Sequence, residues 1–315
     1  MNLLELAQMT EDQARAHLEG IRWPDGPVCP RCGEREKVYR LKGKSTRAGL
    51  LKCGGCRKPF SVTVGTVMEA SHVPIQKWLL GFHLMASSKK GVSAHQLSRN
   101  LGVTLKTAWF LSHRIRFAME EPRGLLTGDM EADETFVGGK PRRPQGVRKP
   151  EKFPAPRTPM STRRRPKMPV AVLVQRDGKA IAEAIQAVKA PHMRDFIERH
   201  VDLDESKLFT DESTAYVTIG RRFAHGHETV AHGKFEYVRG EAHINTAESF
   251  FALLKRAHYG VHHWFSKRHL PRYVAEREFM WNARKMDDPE RRDRAIKGIE
   301  GKRLTYRDSS PATAT

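Results

Sequence analysis

Cysteine is scarce in this chain of 315 residues: there are four, all between positions 29 and 56. A small scaffold held together by disulfides along its whole length is therefore excluded. Acid is short as well, with 36 Asp and Glu against 56 Lys and Arg, a formal charge of +20 at pH 7. That imbalance points to a polyanionic partner, nucleic acid first, with an anionic membrane surface as the bland alternative. No apolar run approaches the ~18 residues that a membrane-spanning helix requires. The opening segment MNLLELAQMTEDQARAHLEG is acidic and amphipathic and has no basic n-region of a secretory leader. The expectation is a cytoplasmic protein with no membrane partner. What the chain does have is 39% hydrophobic residues, enough for a real core, and length for two or three domains.

Along the chain, residues 1–22 read as a helical lead-in, with Thr10 as an N-cap and Glu11 and Asp12 in the first turn. Residues 23–70 are turn-rich and hold every cysteine; 71–122 carry helical periodicity. After EEPRGLLTGD the pattern alternates, with strands expected at 129–137, 169–175, 179–187 and 207–210 and helices at 191–201, 244–257 and 267–285. Strands, a helix, another strand and more helices predict an α/β domain with a mixed sheet over 123–290. Inside it, 140–166 holds ten basic residues, one acid and seven prolines. Such a segment cannot pack a core and reads as a flexible basic insert, with Arg163, Arg164 and Arg165 set to touch phosphates. The tail, 291–315, reads as disordered.

Cys29, Cys32, Cys53 and Cys56 form a C-x2-C-x20-C-x2-C pattern. Each pair brings two thiolates to one ion, and two pairs complete a tetrahedron around Zn²⁺. Two disulfides and a redox pair are the competing readings. With four thiolates the ion has no open position, so its role is structural. Downstream, Ser93 is placed to cap one helix ending at Gly102, and Thr104 to cap a second over 106–116. This is the layout of a helix-turn-helix, with Lys106, Thr107, His113, Arg114 and Arg116 available to DNA. A plain helical hairpin with a solvated basic face is the alternative.

Three acids stand at informative places. Asp133 lies near the end of an apolar strand in MEADETFVGG, Asp211 follows a strand in KLFTDESTAY, and Glu248 lies near a helix start in HINTAESFFALLKR. Acids converging at a sheet edge can hold two divalent ions for phosphodiester chemistry, and an oxygen-only site suits Mg²⁺, with Mn²⁺ as the substitute. Lys255 is seven residues after Glu248, two turns on and on the same face, with Arg256 next to it. Glu134 and Glu212 alternate to the opposite side of their strands and are not expected as ligands. His243 is either a donor behind the site, a phosphate contact or an ordinary loop histidine.

Taken together, CPRCG, LKCGGCRKPFSVTVGTVMEASHVPIQKWLLGFHLM, EADETFVGG, FTDESTAY and HINTAESFFALLKRAHYGVHHWFSKRHLPRYVAEREFMWN resemble the zinc-ribbon-bearing group of bacterial insertion-sequence transposases, over residues 10–285. The resemblance implies a ribonuclease H-like DDE domain behind a zinc ribbon and a helix-turn-helix. It implies Asp133, Asp211 and Glu248 as the three metal-binding positions, with Asn245 the alternative third, and Lys255 as the downstream basic residue. It also implies that the loop with His258, His262, His263 and Trp264 touches DNA ends. Double-stranded DNA, as element ends and target, is the expected partner of a nucleoid-associated homodimer.

Overall fold

The computed structural model describes residues 1–43, 45–138, 167–231, 233, 236 and 238–309. The basic insert at 140–166, with Arg163, Arg164 and Arg165, and the tail residues 310–315 lie outside the described residues. The chain forms two compact units, one of Met1–Gly124, Gly178–Ala180 and Pro271–Thr315, the other of Leu125–Asp177 and Ile181–Leu270.

The first unit opens with α1 (Leu3–Gln8) and α2 (Glu11–Arg22), which start at capping boxes on Asn2 and Thr10. Strands β1 (Val38–Arg40), β2 (Leu51–Cys53) and β3 (Pro59–Phe60) pair as an antiparallel sheet. Helix α3 (Ile75–Ser87) follows Pro74, which offers no side-chain cap. Glu11 of α2 supplies one instead, accepting from the amides of Ile75 at 2.8 Å and Gln76 at 3.2 Å. Helices α4 (Ala94–Leu101) and α5 (Leu105–Ala118) are capped by Ser93 and Thr104, as the sequence predicts, and Gly102 turns between them at φ +57°.

The second unit is built on β4 (Leu126–Val137), β5 (Met168–Gln175), β6 (Ala180–Ala184), α6 (Ala190–His200), β7 (Val201–Asp211), α7 (Val217–Gly220), β8 (His227–Val230) and α8 (Asn245–Ala257). Its sheet has the order β6-β5-β4-β7-β8. Strand β4 runs antiparallel to β5 and parallel to β7, and β8 is parallel to β7. This is the mixed sheet expected of a ribonuclease H-like α/β domain. Side chains alternate across it. Met130, Ala132, Ala171, Leu173 and Leu208 pack with Phe196 and Ile197 of α6. On the other face Phe209 and Val230 pack with Ala242 and Ile244, which lead into α8. Strand β8 was not expected; HETV is too short and polar to show a period.

The chain returns to the first unit with α9 (Leu270–Asn282), α10 (Asp288–Lys297) and α11 (Tyr306–Ser309). Leu18, Cys53, Phe60, Trp78, Phe82, Leu111, Ile115, Phe279 and Ile296 belong to one core. The ribbon at 23–70 and the helices at 71–122 are thus not separate beads, and 291–315 is not a disordered tail throughout. The tail's first residues, RRDRAIK from 291 on, are highly polar, yet Arg291 and Arg292 are buried with acceptors. Arg291 donates to the carbonyls of Ala86 at 2.9 Å and Met286 at 2.7 Å. Glu300 beyond it receives Arg22 at 2.7 and 2.8 Å.

Helix α5 brings the clearest correction. Arg116 is 1% exposed, donates to Glu276 Oε2 at 2.8 Å and lies 4.2 Å from the ring of Tyr273. Arg114 is 5% exposed, donates to the Glu69 carbonyl and stacks on Trp78 and Phe110. His113 is buried between Trp109 and Tyr273. These three do not present themselves to DNA; they bind α5 to its own unit. Lys106 is exposed and Thr107 half-exposed, at the start of the helix. Because Arg116→Met removes one of the two guanidiniums paired with the buried Glu276, Arg277 keeping the other oxygen at 2.8 Å, it is expected to destabilise the unit by about 2–4 kcal/mol in urea unfolding. Unchanged stability with lost DNA binding would return Arg116 to the DNA face.

Candidate active site and metal centre

The metal centre rests on two hairpin-like knuckles. Cys29 and Cys32 come from the chain after α2, Cys53 and Cys56 from the end of β2. In both, the residue after the second cysteine is left-handed: Gly33 at φ +75° and Arg57 at φ +59°. Gly54 is needed for a different reason, since a Cβ there would stand 2.9 Å from the Lys37 carbonyl. That carbonyl accepts the Gly54 amide at 2.6 Å. All four cysteines are free thiols, with Cys29 and Cys56 sulfurs 3.7 Å apart and those of Cys32 and Cys53 3.5 Å apart. A disulfide needs ~2.05 Å, whereas ligands of tetrahedral zinc at Zn–S about 2.3 Å stand about 3.8 Å apart. All four sulfurs lie within 4.8 Å of one another. The donor set therefore fits a structural zinc ion and not a redox pair or disulfides. Arg31, Arg35, Lys37, Lys52, Arg57 and Lys58 around it are exposed.

In the sheet unit the parallel register matches Glu131 of β4 with Phe209 of β7. Two residues further along each strand, Asp133 and Asp211 share the face on which Glu131 and Phe209 lie. Asp133 accepts the Glu134 amide at 2.8 Å, and Asp211 accepts the Ser213 amide at 3.0 Å. Burial pushes the Asp133 carboxyl up to about 7; the Glu134 amide opposes this, and the charges of Glu134, Asp211 and Glu248 add to it. Those couplings place all three predicted acids in one electrostatic neighbourhood. Among the described residues they are not gathered as tightly as the cysteines, whose sulfurs all lie within 4.8 Å of one another. Glu134 turns to the opposite face, where it accepts the Tyr216 hydroxyl, as the alternation predicts.

Glu248 is exposed in the first turn of α8, and Lys255 and Arg256 are exposed in its last. Asn245, the alternative third position, is exposed at the first residue of α8. After α8 comes a π-helical turn, His258–His262, closed by His263 at φ +59°. His258 is buried against Phe265, while Tyr259 is 61% and Trp264 43% exposed.

The sequence reading missed Glu131 and Arg176. Glu131 is fully buried and accepts from the amides of Thr246 at 2.8 Å and Ala247 at 3.1 Å. It also accepts from the Thr246 hydroxyl at 3.0 Å and from Arg176 Nε at 3.1 Å. His243 Nδ1 lies 3.2 Å from Glu131 Oε1. The available signal was Glu131 sharing a strand face with Asp133, two residues before it.

Two outcomes are expected. Native mass spectrometry should find one zinc per chain, and Cys53→Ser should lose it together with the near-UV signal of the shared core; a metal-free, folded chain would overturn the assignment. For Asp133, the folded-state value lies above the ordinary 3.8. Its stabilising effect is therefore full below that value and is lost as pH rises from there through about 7. In magnesium-free buffer Asp133→Asn should unfold at a higher temperature than wild type at pH 8, the gap vanishing near pH 4. An equal gap at both pH values would refute the charge crowding.

Residues 125–282 match the ISXO2-like transposase domain, and residues 9–59 match the transposase zinc-ribbon domain. An uncharacterized protein in transposable element ISH50 of Halobacterium salinarum is 32% identical over 255 residues, covering 79% of this chain and 83% of its own. No solved structure matches the chain. Matching a model over half its length, and an element-borne relative over most of it, the chain belongs to the IS1595 transposase family, with a DDE transposase domain and a transposase zinc ribbon.

Proposed function

We propose that the protein is the DNA transposase of an insertion sequence, binding the element's terminal inverted repeats and performing metal-dependent cleavage and strand transfer. The observation that carries this is the neighbourhood of Asp133, Asp211 and Glu248, in which burial and like charge raise Asp133. Carboxylates crowded together in this way are relieved by a divalent cation. Asp133, Asp211 and Glu248 would hold Mg²⁺, or Mn²⁺ in its place, and the ions would supply activation of water or a 3′-hydroxyl and stabilisation of the leaving oxygen. Lys255, exposed on α8 seven residues after Glu248, grips the phosphate beside the reacting one. Arg256 adds a sequence-neutral contact. The exposed rings of Tyr259 and Trp264 offer surfaces on which an unpaired base at the element end stacks.

End recognition falls to the first unit. Lys106 and Thr107, at the exposed start of α5, are the residues that reach DNA in a helix-turn-helix reading of α4 and α5. The exposed basic residues of the ribbon add phosphate contacts, so affinity falls steeply with salt. Two element ends must be processed together, so the protein works as a homodimer on double-stranded DNA. No helix among the described residues is long and apolar enough to cross a membrane, and the work is assigned to the cytoplasm, at the nucleoid.

The test is strand transfer of a labelled element end into plasmid with Mg²⁺. Wild type should join DNA, and Asp211→Ala and Glu248→Ala should lose joining by at least a thousandfold, on the scale of about 4 kcal/mol of lost transition-state stabilisation, while binding ends normally. An active Glu248→Ala with an inactive Asn245→Ala would move the third position to Asn245. Binding without cleavage under Mg²⁺ or Mn²⁺ would defeat the enzyme reading.

A further inference from the structure

Helix α8 has an unusual beginning. The residue before it is Ile244, which has no polar atom to offer the free amides of the first turn. Asn245 and Thr246, which by residue type are the obvious caps, are already inside the helix. The amides of Thr246 and Ala247 are bound instead by the Glu131 carboxylate, from β4 and 115 residues away in sequence. The Thr246 hydroxyl donates to the same carboxylate at 3.0 Å. A negative group at this end also meets the positive pole of the helix.

The carboxylate is fixed from behind as well. Arg176, just past β5, donates through Nε to Glu131 at 3.1 Å. Its Nη2 donates to the carbonyls of Glu241 at 2.7 Å and His243 at 3.2 Å, in the segment leading to α8. Its guanidinium lies 3.8 Å from the ring of Phe209 on β7. One ion pair thus ties β4, β5, β7 and the approach to α8. Glu131 stands two residues before Asp133 on the same strand face, and Glu248 follows immediately after the last amide that Glu131 binds.

We propose that Glu131 is a positioning residue: its buried carboxylate caps the helix of Glu248 from the strand of Asp133, and so sets where the third acid stands relative to the first. This rests on the reading of Asp133, Asp211 and Glu248 as the metal-holding acids. Glu131 itself touches no reacting atom. It is enclosed by hydrogen-bond donors, and a cation has no approach to it. Its charge matters because a neutral side chain of the same shape cannot accept from all these donors at once; an amide there turns an N–H towards the Arg176 guanidinium or the helix amides.

Glu131→Gln and Thr246→Val test this, with Asp133→Ala as control. Amide hydrogen exchange in metal-free protein should quicken at least tenfold at Thr246 and Ala247 in Glu131→Gln. Mn²⁺ binding, followed by the paramagnetic resonance of the free ion, should weaken at least fivefold. The Mg²⁺ concentration for half-maximal cleavage should rise likewise, and excess Mn²⁺ should recover the rate. Binding of element ends and zinc content should not change. Thr246→Val, which removes one donor, should move the same readings less and serves alone if Glu131→Gln fails to fold. Faster exchange with unchanged Mn²⁺ affinity and Mg²⁺ dependence would make the cap merely structural and overturn the proposal. Mn²⁺ uptake that Asp133→Ala does not weaken would instead bring down the three-acid reading on which it rests.

Discussion

Two carboxylates on neighbouring strands meet only if the register keeps both on one face, and the parallel pairing of β4 with β7 imposes that here. Glu131 stands opposite Phe209, so Asp133 and Asp211 follow in step. A slip of one residue would send Asp211 to the side of Leu208 and Tyr216, into an apolar cluster under α6. That cluster is what forbids the slip. Met130, Ala132 and Leu208 have no other place to go, and burying them fixes the orientation of the acids between them. The chemistry of one face is thus held by the hydrophobicity of the other.

The first unit meets a related problem with a four-cysteine cluster fit for a metal. Its ribbon strands are two or three residues long, too short to be stable as a sheet alone. Four thiolates around one ion would supply what the strands lack, and Cys29 and Cys53 are themselves members of the core that includes α3, α5, α9 and α10. An ion held there would therefore support the helical surface as well as the ribbon. The placement of caps across elements has the same effect: Glu11 holds the start of α3 from α2.

Local chemistry was legible in the sequence; long-range direction was not. The cysteine spacing, the caps at Ser93 and Thr104, the turn at Gly102 and the strands around Asp133 and Asp211 depend on neighbours within a few residues. The direction of Arg114 and Arg116 depends on Glu69 and Glu276, distant in sequence, and a basic helix looks alike whether its cations meet phosphate or buried acid. The segment at 288–299 misled for a similar reason. Its arginines are solvated in any local reading, and only carbonyls outside the segment, of Ala86 and Met286 for Arg291 and of Met1 for Arg292, make those two core residues. Glu131 was hidden because one acid in a strand gives no sign of where its partners come from.

The distribution of cations around the sheet carries the last step. The chain has 56 Lys and Arg, yet among the described residues neither Asp133 nor Asp211 has a Lys or Arg ion pair. The half-buried guanidinium of Arg176 is paired to Glu131, two residues from Asp133 on the same face. Were Arg176 turned to Asp133, it would lower that carboxyl and offset its charge. By engaging Arg176, Glu131 keeps that guanidinium from Asp133, whose buried carboxyl is raised at a cost in apo stability. The pair that caps α8 thus also holds the Arg176 guanidinium on Glu131 and off the carboxylate two residues along the strand.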